Sequence, residues 1–455
     1  MFKLSFSLKD FITIYRNYNY IRIFSLYFLS KGNDGSNMSR IKLLTEHEIN
    51  DFVNIAFNAY PIVFGSSEEN KKKIIKKFTE IQRDNPLQNF YGLYRDDHMF
   101  GGMQLHDFIM KFLSVKIPLG GVGSVSVDFL HKKQNVCKEL IIYFLTHYRE
   151  RGYSMVALYP FRPDFYKKMG FGYGAKMNRY KTKPAFLPEE KANRQEMYHL
   201  SRENINEIVE CHNHLVDKTH GMIKKTNIMV GRMFDDPENR MVGYKKDGKL
   251  CAYLLYHFVS NDDKRFLIYD MYIEEIIYEN TEALKIVLAF LHSQTDQVRD
   301  IIIDTNDEYF HYLLSDPRNG SNNFLATLCH ESNRQGLGIM YRVVNVIEIF
   351  KCLHLHNFGG QDCNMKLTIN DDFLACNTTS VMIRFRQGIA EINTIDAYEV
   401  EVSIDISEFS SLLMGTVNFN TLYSYGLAKV SDSGYVGIIN KIFTTDERPK
   451  CTVKF

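Results

Sequence analysis

The run from Val125 to Gly174, VSVDFLHKKQNVCKELIIYFLTHYRERGYSMVALYPFRPDFYKKMGFGYG, constrains the fold more than any other stretch of the chain. Its order is strand, basic loop, helix, strand, and then a tyrosine ahead of a Gly-aromatic-Gly turn. Cys137, Leu140, Ile141, Phe144, Leu145 and Tyr148 recur every three or four residues, which marks one apolar face of a helix. Ser124 to Val127 are β-prone, and Val125 and Val127 share a strand face by period-two alternation. His131-Lys132-Lys133-Gln134-Asn135 lies between the two elements. A helix start presents unpaired N–H groups and the positive end of its dipole, so with two lysines beside it this segment suits a pyrophosphate. The competing reading of these residues alone is an ordinary solvated basic helix start.

Tyr166 is the second chemical element. It follows the expected strand Ser154 to Leu158 and sits in a short Asp-Phe-Tyr-Lys-Lys segment that Gly170 would terminate. A tyrosine hydroxyl can donate a proton to a departing thiolate. In a chain of 28 tyrosines the ordinary alternative is a packing residue with a wet hydroxyl. A phosphate-binding helix start followed by a proton donor one strand later suits a thioester cofactor, with phosphates at one end and a leaving sulfur at the other. The chemistry that follows is acyl transfer from coenzyme A.

These residues resemble a known family. From about residue 38 to residue 455 the chain is similar to the Eis-type aminoglycoside and lysine acetyltransferases. In that family a GNAT domain is followed by a degenerate second GNAT domain and a sterol-carrier-like domain. The family's Val-x-Val-x-x-x-His-basic-basic motif matches Val125 to Lys133, and its Tyr-x-x-x-Gly-aromatic-Gly-Tyr-Gly motif matches Tyr166 to Gly174. Phe443, Arg448-Pro449-Lys450-Cys451 and the terminal Phe455 resemble the family's ending.

The resemblance implies an α+β chain with a catalytic GNAT domain (38–187), a degenerate GNAT domain (188–343) and a sterol-carrier-like domain (344–455). Met38-Ser39-Arg40 reads as a start, so residues 1–37 are expected to be a non-functional N-terminal extension, the alternative being a targeting segment. It implies acetyl-CoA as acyl donor, with Val125, Ser126 and Val127 on the pantetheine arm. Lys133, Gln134, Asn135, Val136, Cys137 and Lys138 would surround the pyrophosphate, and Phe161 and Arg162 would contact the cofactor. Tyr166 would be the general acid and the Phe455 carboxylate the general base, with strand N–H groups stabilising the oxyanion. A chain-terminal carboxylate has an intrinsic pKa near ~3.5, so the amine's proton could leave through a water. The acceptor would be a small-molecule or lysine amine, and the assembly a cytoplasmic homo-hexamer. GNAT loops usually run Arg/Gln-x-x-Gly-x-Gly, and here Asn135 and Cys137 take the glycine positions. Asparagine tolerates positive φ best among non-glycine residues. Lys454 replaces an acidic residue before the terminal Phe, and its charge counts against a polycationic acceptor.

Composition sets wider bounds. With 455 residues the chain holds two to four domains. Lys plus Arg (55) nearly equals Asp plus Glu (54), so bulk attraction to nucleic acid or membrane is not expected. Eight cysteines without a CxxC pair suit a reducing compartment. Cys352, His354, His356 and Cys363 fit no common zinc spacing, and no metal is expected. The aromatic-rich segment before Met38 is interrupted by Arg16, Asn17, Asn19 and Arg22, and Ile23 to Ser30 is too short to span a bilayer.

Helices are expected over Thr45–Tyr60 and Glu68–Gln82, with a hairpin around Asp96-Asp97-His98. Gly120 to Gly123 is expected as a turn into the cofactor strand, and not as a dinucleotide fingerprint. In the second domain the pattern predicts helix Asn204–Val216, strands 241–244, 250–258 and 266–273, and helix Thr281–Thr295. Ile276 to Asn280 would stand where a phosphate loop would be, acidic and without lysine. In the third, 365–369, 380–386, 389–395 and 398–406 alternate as antiparallel strands, followed by helix Ser410–Met414. Two other function classes stay open: a catalytically dead GNAT scaffold and a hydrophobic-ligand carrier.

Overall fold

The structure, a computed structural model, describes residues 39–65, 67–189, 197–260, 267–392 and 397–455. The expected N-terminal extension lies outside the described residues. Two compact units emerge: one holds the described residues up to His106 with Val122–His147, the other Asp107–Gly121 with Tyr148–Phe455.

In the first unit, β1 (Arg40–Leu43) and β2 (Gln88–Arg95) pair antiparallel, as do β2 and the start of β3 (His98–Phe112). The β2–β3 turn carries Asp96 and Asp97 at φ +47° and +60°, the left-handed pair that a tight hairpin requires. The end of β4 (Val115–Val127) completes this part. Helices Ile49–Ala59 and Glu68–Asp84 bury Phe52 and Phe78 against Phe90, with ring centroids 5.4 and 4.7 Å from it. Pro61 opens a further helical turn, Pro61–Phe64. Leu140, Ile141, Phe144 and Leu145 of helix Val136–Glu150 are fully buried, as their spacing predicts. Each such side chain contributes roughly 1.5–3 kcal/mol by leaving water.

The second unit holds three groups of strands. In the first, β16 (Met340–Val343) pairs antiparallel with both β5 (Met155–Leu158) and β6 (Gly172–Tyr173). A seven-stranded sheet follows, ordered β15-β7-β12-β11-β10-β9-β8. Its strands are β7 (Lys176–Thr182), β8 (Met197–His199), β9 (Arg240–Lys246), β10 (Lys249–Ser260), β11 (Tyr269–Tyr278), β12 (Val298–Thr305) and β15 (Asn333–Leu337). A small hairpin, β13 (Phe324–Ala326) with β14 (Cys329–His330), precedes β15. The last sheet is β19-β18-β17-β20-β21, built from β17 (Cys363–Asn370), β18 (Thr379–Arg386), β19 (Ile389–Ile392), β20 (Val400–Asp405) and β21 (Ala428–Val430). Two strands therefore leave their sequence neighbours. β7 follows β6 directly yet pairs with β12, Tyr180 opposite Ile303, while β16 returns to place Tyr341 opposite Ala157.

Several expectations need correction. Gly120 to Gly123 is not a turn but the interior of β4. A Cβ on Gly120 would lie 2.5 Å from the Tyr148 ring, and one on Gly121 would lie 2.6 Å from Phe108. The glycines thus admit aromatic rings against a strand backbone. Ile276 to Tyr278 belong to β11, leaving only Glu279 and Asn280 before helix Thr281–His292. β17 and β20 run parallel, Leu367 opposite Val402, and not antiparallel. Polar-apolar alternation is the same in both arrangements, so the pattern cannot separate them. β20 ends at Asp405, whose side chain caps helix Ile406–Leu413, four residues earlier than expected. That helix is buried on every face, which removes the periodicity that would show its start.

Candidate active site

The expected strand end and basic loop lie in the first unit. Within β4, Ser124 takes φ +51°, an uncommon conformation for a non-glycine residue. Just beyond, the Val125 carbonyl accepts a hydrogen bond from the Tyr60 hydroxyl at 2.6 Å. Burial, with Cys137 nearby, pushes this phenol up, so it stays a donor. Ser126 is buried and its hydroxyl donates to the Ser124 carbonyl at 3.0 Å. Val125 and Val127 are half-buried.

Two residues of the loop are left-handed: Lys133 at φ +66° and Asn135 at φ +62°. Asn135 thus takes the conformation expected of it at a glycine position, and Lys133 adds a second. Turns of this kind converge successive N–H groups into anion-binding concavities. The Gln134 carbonyl accepts from Arg95 at 3.1 Å, and Arg95 also pairs with Glu139 at 2.7 Å, so the loop is tied to the first turn of the helix. Lys132, Lys133, Gln134, Asn135 and Lys138 are exposed around the helix start, and Val136 is buried beneath it. The ammonium of Lys132 stands 3.6 Å over the Phe129 ring. Burial pushes the Cys137 thiol up to about 11, so at neutral pH it is not a thiolate nucleophile.

Tyr166 and Phe455 lie in the second unit. Arg162 precedes helix Pro163–Lys167 and pairs with Asp164 at 2.5 Å, while Phe161 is exposed. Tyr166 is 3% exposed, and the rings of Phe161, Phe165 and Phe171 stand edge-on around it at 5.4–5.9 Å. Gly170, at φ +79°, is required where it stands. A Cβ there would lie 1.4 Å from the guanidinium of Arg342, which is fully buried and donates to the Met169 carbonyl and to both oxygens of Asp371.

The Phe455 ring packs on Phe108 and Tyr159, with centroids at 4.8 and 5.4 Å. The Lys454 ammonium, largely exposed, pairs with Glu274 at 2.5 Å. Sequence reasoning missed Tyr60 and Tyr159, which hold Val125 and Phe455 of the expected site, and Glu274, which holds Lys454 beside Phe455. Tyr159 closes a recognisable strand just before Pro160, a usable signal. Nothing in the sequence marks Tyr60 or Glu274. Among the described residues no cluster of three or more His, Cys, Asp or Glu could hold a metal ion, and no helix is long and apolar enough to cross a membrane.

Comparison with known proteins bears on these arrangements. Residues 40–174 match an acetyltransferase (GNAT) domain family, residues 221–343 match another acetyltransferase (GNAT) domain family, and residues 350–452 match a sterol carrier protein domain. None of the curated proteins matches the chain significantly. Among solved structures, a GCN5-related N-acetyltransferase from Anabaena variabilis is similar with TM-score 0.75 and 16% identity, over 92% of this chain and 100% of that one. A GCN5-related N-acetyltransferase from Kribbella flavida gives 0.73 and 16%, over 93% and 100%. Eis1 from Mycobacterium abscessus gives 0.70 and 14%, over 92% and 100%. The chain is an acyltransferase built from two tandem GNAT domains and a C-terminal sterol carrier domain. Its architecture is Eis-like.

Proposed function

We propose that the chain transfers the acetyl group of acetyl-CoA directly to a primary amine carried by an aminoglycoside, a polyamine, a lysine or another small molecule. The observation that carries this reading is the loop at Lys133–Asn135. Two left-handed residues, a helix start and exposed lysines together form a receptor for a pyrophosphate. In the same reading Val125, Ser126 and Val127 take the pantetheine arm along their backbone, and Phe161 and Arg162 contact the cofactor.

The amine nitrogen attacks the thioester carbonyl, the C–N bond forms and the C–S bond breaks. The Phe455 carboxylate accepts the amine's proton, directly or through a water, and Tyr166 protonates the departing thiolate of coenzyme A. Backbone N–H groups of the strand end near Ser124 stabilise the oxyanion. The raised Cys137 thiol favours direct attack over a cysteinyl intermediate. Pairing of Lys454 with Glu274 offsets part of the charge that counts against an aminoglycoside. Assembly as a homo-hexamer belongs to the same reading, and light scattering tests it.

Calorimetric titration of acetyl-CoA into the protein is the decisive experiment. Micromolar binding, followed by coenzyme A release with at least one of a panel of amines, is the expected result. Absence of binding would overturn the reading in favour of an inactive scaffold.

A further inference from the structure

The C-terminal segment is held along most of its length, by loop residues at 220–221, 306 and 159 and by β11. Gly221, at φ +85°, lets the segment approach: a Cβ there would lie 2.6 Å from Pro449. The Lys450 N–H donates to the His220 carbonyl at 2.8 Å, and the Cys451 N–H donates to Asn306 Oδ1 at 2.9 Å. The Tyr159 hydroxyl donates to the Val453 carbonyl at 3.1 Å. Cys451 and Val453 are buried at 3% exposure.

A bulge in β11 supplies the rest. Glu275 stands opposite Leu255 and Ile273 opposite Tyr256, so Glu274 is an extra residue in the ladder. A bulge re-aims side chains that would otherwise alternate across the sheet. Glu274 takes the Lys454 ammonium, and Glu275, buried, takes the Lys225 ammonium at 2.5 Å and the Tyr253 hydroxyl at 2.8 Å. Burial works against the charge of Glu275, yet Lys225, His212 and Thr452 hold its carboxyl down to about 2. The strand that leads into helix Thr281–His292 is thus engaged with the chain's own end.

We propose that the bulge at Glu274, with Asn306 and Tyr159, is a clamp that positions the chain terminus for catalysis. The inference rests on the reading of the Phe455 carboxylate as general base. These residues are positioning residues, acting through the tail. A base displaced by about 1 Å can cost on the order of 10² in rate, so a tail held at Lys450, Cys451, Val453 and Lys454 has a kinetic purpose.

Two readouts test the clamp on the full chain: the rate at which carboxypeptidase releases Phe455, and acetyl transfer measured as coenzyme A release. Glu274→Lys places like charges together at a half-buried position and should speed release and lower kcat about 10-fold. Acetyl-CoA affinity should not change. Lys454→Glu should behave alike, and the double variant Glu274→Lys/Lys454→Glu should restore both, which a general loss of folding would not do. Equal release rates in all four proteins would overturn the clamp. Faster release with unchanged kcat would also overturn it. A chain extended past Phe455 separates the two ideas: if the extended protein keeps full turnover, the terminal base has failed, and if it is inactive, the clamp alone has.

Discussion

Gly170 and Gly152 share a backbone conformation and differ in surroundings, which makes them a matched pair. Their φ values are +79° and +80°, and an alanine pays the left-handed cost of about 1–2 kcal/mol at either position. At Gly152 nothing lies within 4 Å of the new Cβ, so that cost is the whole effect. At Gly170 the Cβ lands 1.4 Å from Arg342 Nη1 and 2.8 Å from Ile406. The guanidinium cannot swing aside into solvent, because Arg342 and Asp371 both have fully buried side chains. It must give up the Met169 carbonyl and the two-point contact with Asp371, leaving a buried carboxylate without its charge partner. Breaking such a pair costs about 3–5 kcal/mol, so Gly170→Ala should destabilise by about 4–7 kcal/mol. With no tryptophan and 28 tyrosines, tyrosine fluorescence in a urea titration follows unfolding. The midpoint of the transition that reports on the second unit should drop several times further for Gly170→Ala than for Gly152→Ala. In an Arg342→Met/Asp371→Leu background the two penalties should converge. Equal penalties in the native background would refute the steric argument.

Replacing Tyr166 by Phe should lower turnover by roughly 10²-fold while leaving the calorimetric affinity for acetyl-CoA unchanged, since only the acid is removed; unaltered turnover would remove Tyr166 from the mechanism. Stability should fall as pH is lowered from 6.5 to 4. Burial brings both His212, next to Lys225, and His220 down from 6.5 to about 4, so the unfolded chain takes up protons that the folded one refuses. Each is worth on the order of 3 kcal/mol, present in full above pH 6.5 and lost by pH 4. Glu275 adds a further loss between its ordinary 4.5 and about 2. His212→Gln should flatten the pH dependence of Tm between 6.5 and 4, and an unchanged slope would refute the assignment.

The parts legible in the sequence were those with a strong local period or an unusual backbone demand. The face Leu140–Leu145 was readable because burial falls on one side of a solvated helix. Asn135 was readable because few residues accept positive φ. Gly120 to Gly123 misled, since glycine serves a turn and a close aromatic approach equally well, and only the positions of Tyr148 and Phe108 decide between them. The parallel pairing of β17 with β20 leaves no trace in composition. Glu274 was invisible because its partner, Lys454, lies 180 residues away in the chain and its bulge is a property of the ladder.

The exchange of β7 and β16 has a consequence for how the chain can be made. β5 keeps an open hydrogen-bonding edge until Met340–Val343 has been synthesised, and β7 waits for β12 and β15. A nascent or truncated chain ending at Leu187 would carry both as bare edges, with Tyr180 stripped of its neighbours Ile301 and Ile303. The tandem halves are therefore not separable modules: neither can be excised, expressed alone or swapped into another protein without leaving a strand behind. Emergence of Met340–Val343, and not of the first half, is the point at which both sheets can close.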